Sequence, residues 1–177
     1  MSVIREQRLR VELPAVLSLG SNLGDREATL RAAIAGIGAL EGVRVVAASG
    51  IVETPAIKPH GVDTDAPAYL NAVVTVRTAL QPEQLLAALN GIEHEHGRVR
   101  DERWGDRTLD IDIVDMGGLT IATETLTLPH PRAAERGFVL VPWLQVDPDA
   151  SLSPHGRVDR LAAAADDVHT YQARPLL

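Results

Sequence analysis

The chain contains no cysteine, which excludes disulfides, thiolate nucleophiles and Cys-ligated metal. Aromatic residues are scarce, with two Trp, two Tyr and one Phe among 177 residues, so the position of each is informative. No apolar run approaches the roughly 18 residues of a membrane span. Residues 1–12 are polar and charged, without the apolar stretch and small-residue cleavage site of a secretory leader. These absences lead us to expect a cytoplasmic chain with no membrane partner. An excess of positive charge is missing as well. The net charge of −7 argues against a broad nucleic-acid surface, but it leaves room for a small anion held by a local group of cations.

What is present is ordinary globular material, 45% apolar and 23% charged, in a length that suits one domain with a full core. Residues 14–19 read as a buried strand, and Gly20-Ser21-Asn22-Leu23-Gly24 as a turn. Asp25 is placed to cap a helix running to about residue 40, with Leu30, Ile34 and Ile37 on one face. Residues 43–53 are β-rich. Residues 54–68, with three prolines and a glycine, read as a loop. A β-branched run follows at 70–78, then a helix opened by Pro82, striped by Leu85, Leu86, Leu89 and Ile92, and closed by Gly97.

A further strand is expected at 109–114, an apolar stretch at 138–144 and an Ala-rich helix near 157–165. The order strand–helix–strand–strand–helix–strand is the split βαβ pattern. It predicts an α+β fold, a ferredoxin-like α/β two-layer sandwich with a mainly antiparallel sheet. The domain is expected to span 13–165. Residues 1–12 form an extension, and the patternless residues 166–177 a loosely attached tail.

Asp110 and Asp112 share one face of the 109–114 strand, while Leu109, Ile111 and Ile113 share the other. Two extended residues span roughly 6.6 Å, a separation at which two carboxylates can bracket hard cations that also hold phosphate oxygens. The plainer reading is a polar strand face meeting solvent, yet two aspartates on one face repel each other without a cation. Before the pair, Arg98, Arg100, Arg103 and Arg107 fall within ten residues, and a guanidinium suits phosphate because its planar fork donates two parallel bonds. Alternatively these arginines pair with Asp101, Glu102 and Asp106 in a solvated loop. Trp104 tilts the balance towards a loop that covers something. His94 and His96 lie two apart on a helix and make a poor metal pair.

Arg103 to Ile113, Arg-Trp-Gly-Asp-Arg-Thr-Leu-Asp-Ile-Asp-Ile, resembles the signature of the 6-hydroxymethyl-7,8-dihydropterin pyrophosphokinases. Leu19-Gly20-Ser21-Asn22-Leu23-Gly24-Asp25, Glu53-Thr54-Pro55, Tyr69-Leu70-Asn71-Ala72, Gly97-Arg98-Val99-Arg100, Leu128-Pro129-His130-Pro131-Arg132 and Arg136-Gly137-Phe138 agree in order. The resemblance covers roughly residues 14–160.

It implies transfer of the β,γ-pyrophosphoryl unit of ATP to the hydroxymethyl oxygen of the pterin, releasing AMP on the route to folate. By resemblance, Asp110 and Asp112 would hold two Mg²⁺ ions. Arg98, Arg107, Arg136 and His130 would contact the phosphates, with Arg98 and Arg107 counted among the catalytic residues. Glu93 would lie near the ribose, and Ile113 and Thr127 near the adenine. The pterin would stack between Tyr69 and Phe138, with Asn71 at its amide edge. Thr54, Pro55 and Ile57 would line the pocket, and Trp104 would close over it. The implied partners are the two substrates, the implied state a monomer. The chain departs from the pattern in a longer 54–69 loop, a shorter arginine loop, Asp101 after Arg100 and Pro131 in place of a tyrosine. A different two-metal phosphohydrolase or nucleotidyl transferase, or a non-catalytic pterin or nucleotide binder, are the competing readings.

Overall fold

The computed structural model describes residues 11–58, 60–97 and 108–177. In chain order its elements are β1 (Leu13–Ser21), α1 (Arg26–Gly38), β2 (Val43–Ala48), β3 (Val52–Thr54), β4 (Ala56–Lys58), β5 (Gly61–Asp63), β6 (Tyr69–Thr78), α2 (Pro82–Glu95) and β7 (Asp110–Met116). There follow β8 (Ile121–Ala122), β9 (Thr127–Leu128), a 3-10 turn (Ala133–Glu135), α3 (Gly137–Val146), β10 (Ser151–Leu152), β11 (Gly156–Arg157), α4 (Val158–Ala162) and β12 (His169–Thr170).

The main sheet runs β12-β3-β6-β1-β7, with β2 also on β6, and every pairing in it is antiparallel. β2 and β3 act as one broken strand. β2 pairs with the C-terminal half of β6 and β3 with its first residues. The break falls at Ser49, whose hydroxyl accepts the Val73 N–H at 2.9 Å, and at Gly50, whose N–H goes to Gln145 Oε1 at 2.8 Å. The 43–53 run is therefore two strands, because a side chain stands in for one backbone rung. With β2/β3 counted together, the order is the expected ferredoxin-like one.

Helices α1 and α2 cover one face. Asp25 caps α1 by accepting the Ala28 N–H at 3.1 Å, and α1 buries Leu30, Ala33, Ile34 and Ile37. Gln81 and Gln84 form a reciprocal cap at the start of α2, and Gly97 ends it at φ +79°, the left-handed position glycine takes at no cost. Leu17 and Leu19 of β1 and Ile111 and Ile113 of β7 meet these helices in the larger core. On the other face α3 sets Val139, Leu140 and Trp143 against Val73 and Val114. The apolar 138–144 stretch is thus a helix, and it adds a layer behind the two-layer unit.

The 54–68 segment is more ordered than a loop, since β4 and β5 form a hairpin within it. Its base is tied down where Arg26 donates to the Ala68 carbonyl at 2.6 Å and to Glu53 at 3.2 Å. The tail is not loosely attached. β12 pairs with β3, Tyr171 donates its N–H to Ile51 O at 3.0 Å, and Arg31 grips the carbonyls of Arg174 and Pro175 at 2.8 and 2.9 Å. These bonds are made by backbone groups and one distant arginine, which leave no periodic trace in the sequence.

Leu89 of α2 is fully buried in the larger core between helices and sheet. Leu89→Ala is expected to lower unfolding free energy by about 2–5 kcal/mol in urea denaturation; a loss well under 1 kcal/mol would contradict this packing.

Candidate active site

The sheet face turned towards α3 carries the polar residues. Along β1 the odd positions Leu17 and Leu19 go to the α1/α2 core, so Ser18 and Gly20 face the other way. Register places Gly20 between Asn71 on β6 and Asp110 on β7, and Ser18 between Val73 and Asp112. At the same end, Thr54 of β3 pairs with Tyr69 of β6. Arg136, Gly137 and Phe138, at the start of α3, close over this floor. Together they bound a cavity of about 580 Å³, within the range of small-molecule sites.

One end of the cavity suits a flat ring. Tyr69 and Phe138 line it from sheet and helix. Asn71, almost fully buried, donates Nδ2–H to Thr54 Oγ1 at 3.0 Å, which fixes the amide plane. Its Oδ1 lies over Gly20, where a Cβ would come within 2.9 Å of it. Pro55 and Ile57 complete this end, and Ile57 is half-exposed on the β4 hairpin.

Asp110 and Asp112 define the other end. Arg136 reaches Asp112 Oδ2 from Nη1 at 3.5 Å, and its guanidinium carbon sits 5.6 Å from the centre of the Phe138 ring. His130 Nε2 lies 3.6 Å from the same Asp112 oxygen. His130 Nδ1 accepts the Arg132 N–H at 3.1 Å, so the neutral ring carries its proton on Nε2, facing Asp112. Burial pushes the His130 pKa down to about 4, with Arg136 and Arg132 adding to the shift and Asp110 opposing it. The His130–Asp112 contact is therefore a long polar contact at neutral pH and not an ion pair.

β7 does not end at its acids. A bulge at Val114 lets the strand continue to Met116. The Val114 carbonyl accepts the His130 N–H at 2.8 Å, which docks His130 beside Asp112. Asp115 lies within the strand, beyond the expected end at 114, and its Oδ2 accepts the Gly118 N–H at 3.3 Å.

Four expected site residues do not line this cavity, and His130, docked beside Asp112, is one of them. Glu93 is buried beneath β7 and accepts the Ile111 N–H at 2.7 Å. The Ile113 side chain lies in the larger core, and exposed Thr127 sits on β9 beside β7. Arg98, Trp104 and Arg107 lie outside the described residues.

The sequence reading missed Ser18 and Gly20 as floor residues, and Leu161, Ala164, Ala165 and Asp167 as a side wall. For Gly20 there was a signal, since glycine inside a strand marks a close approach. The wall had none, because only tertiary docking brings it there.

Paired acids beside an arginine at one end, and two aromatic rings with a fixed amide at the other, on a ferredoxin-like sheet, give the cavity the make-up of a small-molecule site. The family model described as 7,8-dihydro-6-hydroxymethylpterin-pyrophosphokinase (HPPK) matches residues 16–148, and the chain belongs to that family. It is similar to the 2-amino-4-hydroxy-6-hydroxymethyldihydropteridine pyrophosphokinase of Methylorubrum extorquens, 46% identical over 135 residues, covering 76% of this chain and 83% of that one. The protein of the same name from Mycobacterium leprae is 46% identical over 162 residues, covering 84% and 81%. In fold, the chain is similar to an HPPK-DHPS solved in complex with substrates, at a TM-score of 0.67 and 15% identity over 87% of this chain. A Plasmodium falciparum HPPK-DHPS triple mutant gives the same TM-score over 88% of this chain. The chain spans 43% and 44% of those two longer chains.

His130 provides a test that needs no ligand. As pH falls, the unfolded chain takes up a proton near pH 6.5, while the folded ring resists until about 4. Between those values the unfolded state binds more protons, so stability is full above pH 6.5 and drains away towards 4. In the metal-free protein, NMR should find the His130 ring neutral at pH 5.5, and His130→Gln should flatten the stability–pH slope in that window. A ring titrating near 6.5 would contradict the buried placement.

Proposed function

We propose that this chain is an ATP-dependent pyrophosphokinase of folate biosynthesis, transferring pyrophosphate from ATP to 6-hydroxymethyl-7,8-dihydropterin and releasing AMP. The observation that carries the reading is that one cavity holds both a ring slot (Tyr69, Asn71, Phe138) and a pair of carboxylates on a rigid strand (Asp110, Asp112). A flat heterocycle bound in the slot presents its exocyclic hydroxymethyl group to the acid end.

In this reading Tyr69 and Phe138 stack on the pterin and Asn71 meets its amide edge, while Thr54 holds Asn71 in place. Pro55 and Ile57 form the slot's rim, and Trp104 is assigned to cover it. Arg136 and His130, with Arg98 and Arg107, are assigned to the phosphates. Glu93, Ile113 and Thr127 are assigned to the nucleoside. They flank the outer edge of β7, where the Ile111 N–H already points towards Glu93, and by alternation the Ile113 backbone points the same way.

The donor set fits Mg²⁺. Two hard carboxylate oxygen donors share one strand face, and among the described residues no group of three His, Cys, Asp or Glu is gathered to enclose an ion. Mg²⁺ takes one or two carboxylates and completes its shell from phosphates and water. Asp110 and Asp112 would hold it, with two ions as our proposal, and bound Mg²⁺ neutralises triphosphate charge. The chain's own contribution is positioning. The ring slot aims the hydroxymethyl oxygen, Arg136 offers a cation to charge on the bridging oxygen as the bond to AMP breaks, and the covered site limits attack by water.

No helix among the described residues is long and apolar enough to cross a membrane. A cytoplasmic monomer without nucleic-acid partner completes the proposal.

Incubation with ATP, Mg²⁺ and the reduced hydroxymethylpterin should release AMP only when the pterin is present. ATP turnover independent of pterin would favour a hydrolase and sink the reading. Asp110→Ala and Asp112→Ala should each lower kcat by about 10²-fold or more, the scale of losing one preorganised charge partner. Gly20→Ala places a Cβ 2.9 Å from Asn71 Oδ1, so pterin KM should rise by roughly tenfold, about 1.4 kcal/mol, while the KM for ATP stays nearly constant.

A further inference from the structure

The C-terminal segment beyond the family-matched residues 16–148 touches both walls of the ring slot. On one side β12 adds to β3, pairing His169 with Glu53 and Thr170 with Val52, and Tyr171 N–H continues the contact to Ile51 O at 3.0 Å. These rungs end one residue before Thr54, which holds Asn71. On the other side, residues just before β12 press on Gly137, between Arg136 and Phe138. A Cβ at Gly137 would meet Ala165 Cβ at 2.7 Å and Val168 Cγ2 at 2.9 Å, closer than such atoms approach without something shifting. Next to these two anchors, Leu161, Ala164, Ala165 and Asp167 form a stretch of cavity wall.

We propose that the segment 161–171 is a clasp that sets the distance between β3 and the start of α3, and so the width of the pterin slot, with Ala165 and Val168 as positioning residues acting through Gly137. The proposal rests on the pterin-kinase reading above. The slot's two walls otherwise belong to different elements, β3 and β6 in the sheet and α3 lying on it. α3 is fixed to the sheet by Val139, Leu140 and Trp143, which lie on the C-terminal side of Phe138. Its first turn, carrying Arg136 and Phe138, relies on the clasp for support on its outer side. A chain segment hydrogen-bonded to one wall and in van der Waals contact with the other turns two separately packed surfaces into a slot of fixed gap. A planar ligand gains from that fixed gap because no ordering cost falls on binding.

The test compares two ligands that enter different ends of the cavity, 6-hydroxymethylpterin followed by its fluorescence and a non-hydrolysable ATP analogue with Mg²⁺. Gly137→Ala should displace the clasp and weaken pterin binding by roughly ten- to hundredfold, as misplacement by about 1 Å does, with a clearly smaller loss for the analogue, for which Arg136 on the same turn is only one of several assigned contacts. Adding Ala165→Gly and Val168→Ala to Gly137→Ala makes room for the new methyl and should return most of the lost pterin affinity. Unchanged pterin affinity in Gly137→Ala, equal weakening of both ligands, or failure of the added changes to restore binding would overturn the clasp. If Gly137→Ala does not fold, Ala165→Gly with Val168→Ala on the wild-type background loosens the same contact. It should weaken pterin alone by about threefold, and affinity equal to wild type overturns the proposal. Wild-type protein that neither binds the pterin nor releases AMP refutes the functional reading instead, which separates the two failures.

Discussion

The site depends on a missing side chain. Gly20 lies on the central strand β1, with Asn71 on one side and Asp110 on the other. A Cβ there would meet Asn71 Oδ1 at 2.9 Å, so the amide lies across β1 only because that position is bare. The cavity wall on β3 and β6 and the acid-bearing strand β7 are joined through this one residue. Gly20 therefore fixes the reach from the Asn71 end of the cavity to the acid pair as much as any charged group does. Glycine in a strand interior costs stability in exchange for this closeness.

Electrostatics then divides the cavity. Arg136 belongs to both ends, reaching Asp112 while stacking over Phe138, so ring and acid are coupled through a single cation. His130 is kept neutral by burial and by its arginine neighbours, which leaves Nε2–H as a directed donor near Asp112 and not as another formal charge. Glu93 holds the peptide between the two acids from below. Its carboxylate fixes the backbone on which the acids' spacing depends.

What the sequence disclosed follows from how local each signal is. Asp25, Pro82 and Gly97 act within a few residues of their own position, and the start of α1 and the two ends of α2 fell where those residues put them. Strand alternation separated Asp110 and Asp112 from Ile111 and Ile113, and the structure keeps that division. The β2/β3 break was hidden because Ser49 and Gly50 are matched by Val73 and Gln145, partners far along the chain. The Val114 bulge was hidden for the same reason, as its carbonyl is satisfied by His130. Of the ring-slot residues, Thr54, Tyr69, Asn71 and Phe138 came from motif resemblance and share one cavity. Ala165 and Val168 lie in an alanine-rich stretch whose pattern says helix or nothing.

The pairing of β12 with β3 has a meaning beyond the site. β3 is short and would otherwise expose a row of free backbone donors and acceptors at the rim of the sheet, a surface on which a second molecule could extend the ladder. The chain's own end occupies that rim, and β12 is only two residues long, too brief to offer a comparable template in turn. A protein shortened at its C-terminus would thus uncover a border that invites self-association, at the same stroke as it released the proposed clasp.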